Sequence, residues 1–238
     1  MYLTIVIILD GVVISNIRID GPNCPIFIRL GNRNRPYFEG QKINNAGVLQ
    51  NVTISNVIAT GANKTGCSIT GIPGYRVQNL SLSHINIEFA GGGTMKESER
   101  EVPEKERSYP EADMFDILPS FGLFIRHAQN VTLSDIVLST KGEEHRPAIV
   151  FSDVISTDLD KLQVSGPLIT QSIISLDNSD RIRIRNSRIQ GRSQCLVNPK
   201  GDSNTNISLL NNELNQIKSL YPPGIKTKKG FTELGNLP

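Results

Sequence analysis

The chain has 238 residues, a net charge of +2, 38% hydrophobic and 20% charged residues, enough to bury a core in one or two domains. Plentiful aliphatics and nearly balanced charge exclude low-complexity disorder and a strongly basic nucleic-acid binder. The 29 Ile and 21 Asn stand against 7 Ala, beside 20 Gly and 13 Pro. Ile suits pleated surfaces, Asn, Gly and Pro populate turns, and helices favour Ala, so the chain reads as all-β.

The first predicted element is the apolar run Leu3 to Leu9. It lacks a basic leader and a small-residue cleavage site, so it reads as a strand rather than a signal peptide, and no export signal is expected in this chain. No segment reaches transmembrane length, so no membrane partner is expected. From Val12 onward a pattern recurs: aliphatic, any residue, aliphatic, polar, then Asn or a substitute. It appears at Val12–Ile17, Val52–Val57, Leu80–Ile85, Val131–Ile136, Leu162–Gly166, Ile182–Asn186 and Ile207–Asn211. Successive copies start 40, 28, 51, 31, 20 and 25 residues apart. Such spacing excludes helical repeats of fixed period and suits short stacked strands with variable loops at one corner.

Second strands are predicted between the copies, at Pro25–Leu30, Gly122–Arg126, Pro147–Phe151 and Ser172–Leu176. Two or three strands per repeat, one repeat per coil, describe a parallel β-helix of about seven coils. Its inner aliphatics contribute roughly 1.5–3 kcal/mol each when buried. The column Asn16, Asn56, His84, Asp135, Gly166, Asn186, Asn211 falls where the chain turns, and Asn tolerates the left-handed backbone needed there. This column is expected to form an internal polar ladder, its stacked amides contributing about 1 kcal/mol each. Of the sequons at Asn51, Asn63, Asn79, Asn130 and Asn206, four sit one residue before a repeat's first aliphatic. A strand-start rule therefore generates them without glycosylation.

Cys24, Cys67 and Cys195 share no close spacing and match no metal motif, so they read as buried small hydrophobes, with no metal or cofactor expected. One insertion stands out, from Gly91 to Phe121. Between Lys96 and Glu111 it carries four basic and six acidic residues in sixteen. Its first part is predicted as a short solvated helix, and Pro110 suits the first position of a second. Long ordered loops on a repetitive scaffold carry function or cap one side of the coil, and both readings stand here. The β-helix domain is expected over residues 1–217, and the tail at 218–238, lacking the repeat, is expected to pack loosely or move.

Several motifs, in order, carry a family resemblance. They are Pro25-Ile-Phe-Ile-Arg-Leu-Gly-Asn-Arg33, Gly71-Ile-Pro-Gly-Tyr75, Gly91-Gly-Gly-Thr94, Val102-Pro-Glu104 and Tyr109-Pro-Glu111. Met114-Phe115, Leu118-Pro119, Gly122-Leu-Phe-Ile-Arg-His127 and Arg146-Pro-Ala148 continue the string. Together they resemble glycoside hydrolase family 28, in its polygalacturonase-like, Bacteroidota-type branch, over roughly residues 10–190. The departures are Asp116, where a Gly often follows Met-Phe, and Ser120-Phe121 in place of Ala-Tyr.

The resemblance implies a right-handed, single-stranded, pectin-lyase-like parallel β-helix that hydrolyses galacturonosyl linkages with inversion, in relatives that are exported. Inversion needs an acid and a base about 6.5–9.5 Å apart, leaving room for water. The family supplies them through Asn-Thr-Asp, Asp-Asp, His-Gly and Arg-Ile-Lys motifs, and none of the four occurs here. The chain therefore resembles the C-terminal portion of such an enzyme, starting after its catalytic coils, and no catalytic residue carries over. Glu143-Glu144 reads as a solvated pair, while Glu111, Asp113 and Asp116 could face a cleft; neither group is assigned acid–base work. His84 reads as a turn residue, and no triad forms around His127 or His145.

Binding is the stronger expectation. The partner implied is a pectic oligo- or polysaccharide, and Arg grips its carboxylates through paired hydrogen bonds. Arg29, Arg33, Arg126, His127 and Arg146 are the candidate contacts, with Tyr109 and Phe115 placed to stack on a sugar. The competing reading has the arginines pairing with acids of the insertion. A non-catalytic carbohydrate-binding or structural β-helix is the alternative function. Because an open coil exposes strand edges, self-association through the N-terminal coil is also expected.

Overall fold

The computed structural model describes residues 8–33, 39–40, 46–201, 203–225 and 230–237. In chain order the elements are β1 (Ile8–Asp20), β2 (Phe27–Arg29), β3 (Val48–Ala62), β4 (Cys67–Thr70), β5 (Val77–Phe89) and α1 (Met95–Ser98). They continue as β6 (Leu123–Thr140), β7 (Ile149–Asp177), β8 (Asp180–Arg185), β9 (Arg188–Lys200), β10 (Thr205–Leu210), β11 (Glu213–Ile217) and β12 (Thr232–Leu234). The chain is all-β, 61% strand and 2% helix, with a mostly parallel sheet of 12 strands consistent with a parallel β-helix. No described helix is long and apolar enough to cross a membrane.

The first four predicted copies lie directly against one another, as do the last two. Val12 pairs with Val52, Val52 with Leu80, and Leu80 with Val131, and the series ends with Ile182 beside Ile207. The two aliphatics of each copy point inward: Val52, Ile54, Leu80, Leu82, Val131, Leu133, Ile182, Ile184, Ile207 and Leu209 are all buried in one core. Period-2 alternation sends their polar neighbours outward. The predicted second strands hold as well, as β2, the first part of β6 and two stretches of β7.

The register departs from expectation at one copy. Val131 pairs with Thr157 and Thr157 with Ile182, so the fifth copy is Thr157-Asp-Leu-Asp-Lys161. Leu162–Ser165 instead pairs with Ile136–Ser139, the strand after the turn. The turn column is thus Asn16, Asn56, His84, Asp135, Lys161, Asn186 and Asn211, all with φ between 53° and 59°. Gly166 lies outside it.

That column is not internal. Asn16, Asn56, His84, Asn186 and Asn211 are exposed, and Asn56 Nδ2 donates to Asn16 Oδ1 at 3.1 Å on the outer corner. The buried ladder sits one residue further on. Ser187 N–H donates to Asn212 Oδ1 at 3.0 Å and Asn212 N–H to Asn236 Oδ1 at 3.1 Å; at a separate corner, after Asn178, Ser179 N–H donates in the same way to Asn204 Oδ1 at 3.0 Å. These amides satisfy main-chain donors that the bend removes from the ladder of strand pairs.

A second left-handed corner explains four of the five sequons. Gly11, Asn51, Asn79, Asn130, Ser156, Arg181 and Asn206 share it, all at positive φ. Asn79 Nδ2 donates to Asn51 Oδ1 at 2.8 Å and Asn130 Nδ2 to Asn79 Oδ1 at 3.0 Å, so these amides join neighbouring strands.

The two ends contrast. At the first, Ile8, Leu9, Val13, Ile14 and Ile17 of β1 are exposed; residues 3–7 of the predicted strand lie outside the described residues. At the other, described residues of the tail join the core and the sheet. Tyr221 is buried and lies 5.5 Å from the Phe231 ring, Ser208 of β10 pairs with Thr232 of β12, and Asn236 joins the inner ladder. Cys67 and Cys195 are buried thiols, and Cys24 is half-buried. Desolvation pushes Cys24 up to about 11 and Cys195 up to about 12.

Candidate functional site

The insertion leaves the end of β5 and returns at β6. Thr94 starts α1: its Oγ1 accepts from Glu97 N–H at 3.2 Å, and the Glu97 carboxylate accepts from Thr94 N–H at 2.8 Å, a reciprocal cap. No second helix follows Pro110. The segment folds as turns instead, with Met114 N–H bonding Glu111 O at 3.0 Å and Asp116 N–H bonding Asp113 O at 2.8 Å. Met114, Phe115 and Leu118 then pack against Phe27, Phe124 and Val150, the outward residues of β2, β6 and β7. The insertion is a lid glued to the outside of the sheet.

Arginines hold it there. Arg146 is fully buried and pairs twice with the equally buried Glu144, at 2.9 and 2.8 Å. Its remaining donors bond Lys64 O at 2.7 Å and Leu118 O at 3.0 Å. Arg29 donates to Gly71 O at 2.8 Å and Glu104 O at 2.6 Å, and lies 5.3 Å from the Phe115 ring. Burial and the nearby Arg126 guanidinium lower Arg29 to about 10. Arg126 donates to Val102 O at 2.6 Å and Pro103 O at 3.1 Å, pairs with Glu104 at 3.1 Å, and covers the same Phe115 ring.

These positions correct several expectations. Arg146 offers no surface to a ligand, and Phe115, 1% exposed beneath two guanidiniums, has no free face for a sugar. The arginines pair with the insertion, as the competing reading had it, but mostly through its carbonyls rather than its acids. Arg33 and Tyr109 stand apart, stacked at 4.5 Å with Tyr109 57% exposed. Glu144 of the pair expected to be solvated is fully buried against Arg146, while Glu143 bonds His145 at 2.9 Å and Asp116 pairs with Arg100 at 3.1 Å.

His127 occupies a third left-handed corner with Asp153 and Asn178, at φ 49°, 52° and 47°. The sequence signal was the set itself, because His, Asp and Asn are the side chains that visit this region most readily. His127 Nδ1 lies 2.7 Å from Asp153 Oδ2, and Nε2 lies 3.1 Å from Glu104 Oε1. Arg76 closes the other side of Asp153. The ring thus ties the corner to the insertion.

Alongside this tie runs a groove of about 480 Å³, floored by Phe124 and Val150 and walled by Ser98–Val102 and Glu104 of the insertion. It follows an outward row: Arg126 pairs in register with Ser152, Ser152 Oγ reaches Asp177 Oδ2 at 3.5 Å, and Asp177 pairs with Lys200. Ser152, Asp177 and Lys200 are absent from the candidates that the sequence suggests, although the alternation of β7 and β9 places them outward. Lys200 is exposed and has no ion-pair partner among the described residues. Buried Arg126 Nε has no hydrogen-bond partner there either. No three His, Cys, Asp or Glu side chains among the described residues gather as a metal site. No known family, curated protein or solved structure matches the chain.

Proposed function

We propose that this chain is a pectic-polysaccharide-binding β-helix, the non-catalytic C-terminal portion of a polygalacturonase-type hydrolase of glycoside hydrolase family 28. On this reading the fold is a right-handed, single-stranded β-helix of about seven coils. The ordered motif string motivates the family, and the groove beside Arg126 carries the binding claim. Its volume falls in the range of small-ligand sites, and it mixes an apolar floor with convergent polar groups. Ser98, Ser152 and Ser175 offer hydroxyls, Glu104 and Asp177 accept from sugar hydroxyls, and Lys200 supplies charge for a uronate.

A structural β-helix with no ligand is the second reading, favoured by the donors of Arg29, Arg126 and Arg146 being spent on the insertion. Titration with oligogalacturonides separates the two. Saturable binding, weakened about tenfold by Lys200→Gln and without release of reducing sugar, is the expected result. Absence of binding overturns the proposal in favour of the structural reading, and turnover by the purified chain overturns its non-catalytic part.

A further inference from the structure

A second groove, of about 680 Å³, lies on a different face, over the outward side chains of β6, β7, β8 and β10. Register fixes its floor: Thr132 pairs with Asp158, Asp158 with Arg183, and Arg183 with Ser208. Parallel strands stand about 4.8 Å apart, so these four groups form a straight row. Along this row in the earlier strands stand only Val13, Thr53 and Ser81. Charge enters at Asp158 and Arg183.

The neighbouring corner column changes at the same place. Asn51, Asn79 and Asn130 link strand to strand through their amides, and Asn206 resumes the habit by donating to Asp180 Oδ1 at 2.7 Å. Between them stand Ser156 and Arg181, at φ 62° and 55°. A long cationic side chain is an uncommon occupant of left-handed backbone. Departures from a local rule gather at functional positions.

Both arginines are available. Arg181 pairs with Asp180 yet keeps 58% of its side chain exposed. Arg183 is 57% exposed and lies 3.7 Å from Asp158, whose nearer partner is Arg185 at 3.1 Å. Two guanidiniums from positions two residues apart on one strand line the groove with the Thr132, Ser156 and Ser208 hydroxyls, and present paired donors for carboxylates and single donors and acceptors for sugar hydroxyls.

We propose that the groove around Arg181 and Arg183 is a second saccharide site, specific for a carboxylated oligosaccharide. It rests on the reading that the ligand is an acidic polysaccharide, and gives the chain two separated contacts on one polymer. Two linked contacts raise avidity without any tighter single site.

The test is a titration of the 238-residue chain with galacturonate trisaccharide, following arginine Nε–Hε and backbone signals by NMR, with neutral galactose trisaccharide as the comparison. The Arg181 and Arg183 signals shift saturably with the acidic sugar and stay still with the neutral one. Arg183→Gln alone weakens that binding at least threefold, and Arg181→Gln with Arg183→Gln at least tenfold, while Ser152 and Lys200 signals still respond. If Ser152 and Lys200 respond but Arg181 and Arg183 do not, this site is refuted and the first groove stands. Equal shifts with the neutral sugar refute recognition of the carboxylate. If nothing shifts, both proposals fall together.

Discussion

The chain carries two arginine-rich faces, and they use arginine in opposite ways. Beneath the insertion, Arg29, Arg126 and Arg146 turn their donors onto main-chain carbonyls of Glu104, Val102 and Leu118. On the other face, Arg181 and Arg183 meet only carboxylates and stay more than half exposed. Counting cations would rank the first face higher as an anion site. Counting donors still free reverses the order.

The largest expected effect tests this contrast through stability. Removing one partner of a buried ion pair strands a charge in the core and costs about 3–5 kcal/mol. Arg146→Ala leaves the fully buried Glu144 carboxylate in that position and frees two carbonyls of the insertion and its neighbour besides. Arg181→Ala removes an exposed pair, worth about 0–1 kcal/mol. Urea unfolding of the two variants is expected to separate them by at least about 2 kcal/mol on these magnitudes. Similar losses for both would erase the distinction between the faces. A steric counterpart is Gly93→Ala, whose Cβ would meet Glu144 Oε1 at 2.0 Å and Arg146 Nε at 2.1 Å. It should release the insertion to limited proteolysis between Lys96 and Arg107.

A smaller contrast separates two adjacent asparagines. Asn212 is buried and accepts from Ser187 N–H at 3.0 Å while donating to Ile184 O at 3.2 Å. Asn212→Ala leaves both main-chain groups unpaired, a penalty of about 1–3 kcal/mol for each unmet group. Asn211 is exposed at φ 53°, a conformation glycine adopts freely. Asn211→Gly should therefore cost less than about 1 kcal/mol, as expected for an exposed site. Thermal unfolding that ranks Asn211→Gly as the more damaging change would reverse the assignment of inner and outer ladders.

That pair of residues also marks the limit of what sequence can tell. The paired aliphatics and the turn-favouring Asn were legible because one strand carries both signals locally, as in Val52-Thr-Ile-Ser-Asn56. The inside–outside choice between Asn211 and Asn212 was not, since both are asparagines and only the bend decides which one turns inward. The fifth copy is hidden because Thr157 stands where an aliphatic and Lys161 where an Asn is usual, while Leu162-Gln-Val-Ser165 imitates the pattern one strand later. At the first groove, Arg126 and His127 were visible as chemistry. That their polar atoms are occupied by Val102, Pro103 and Glu104 depends on a lid more than twenty residues away. Ser152, Asp177 and Lys200 carry no such signal, because nothing in one strand reveals which neighbour stands beside it.

The smallest predicted effect concerns the anchor of Arg181. The Asp180 carboxyl titrates below the ordinary carboxylate range, first because the Thr205 hydroxyl donates to it, then because the Asn206 amide does and Arg181 lies alongside, with burial opposing. A depressed carboxyl contributes its stabilisation above the unfolded value of about 3.9 and loses it as pH falls through the folded value. Thr205→Val deletes the leading donor, so the Asp180 midpoint in a carbon-detected NMR titration should rise toward the ordinary value. Arg181→Gln should raise it less, because a partner half in water is screened. If instead Arg181→Gln produces the larger rise, the guanidinium is committed to Asp180. It would then resemble the arginines under the insertion rather than a free hand for a ligand, and the contrast between the two faces would collapse at its most exposed point.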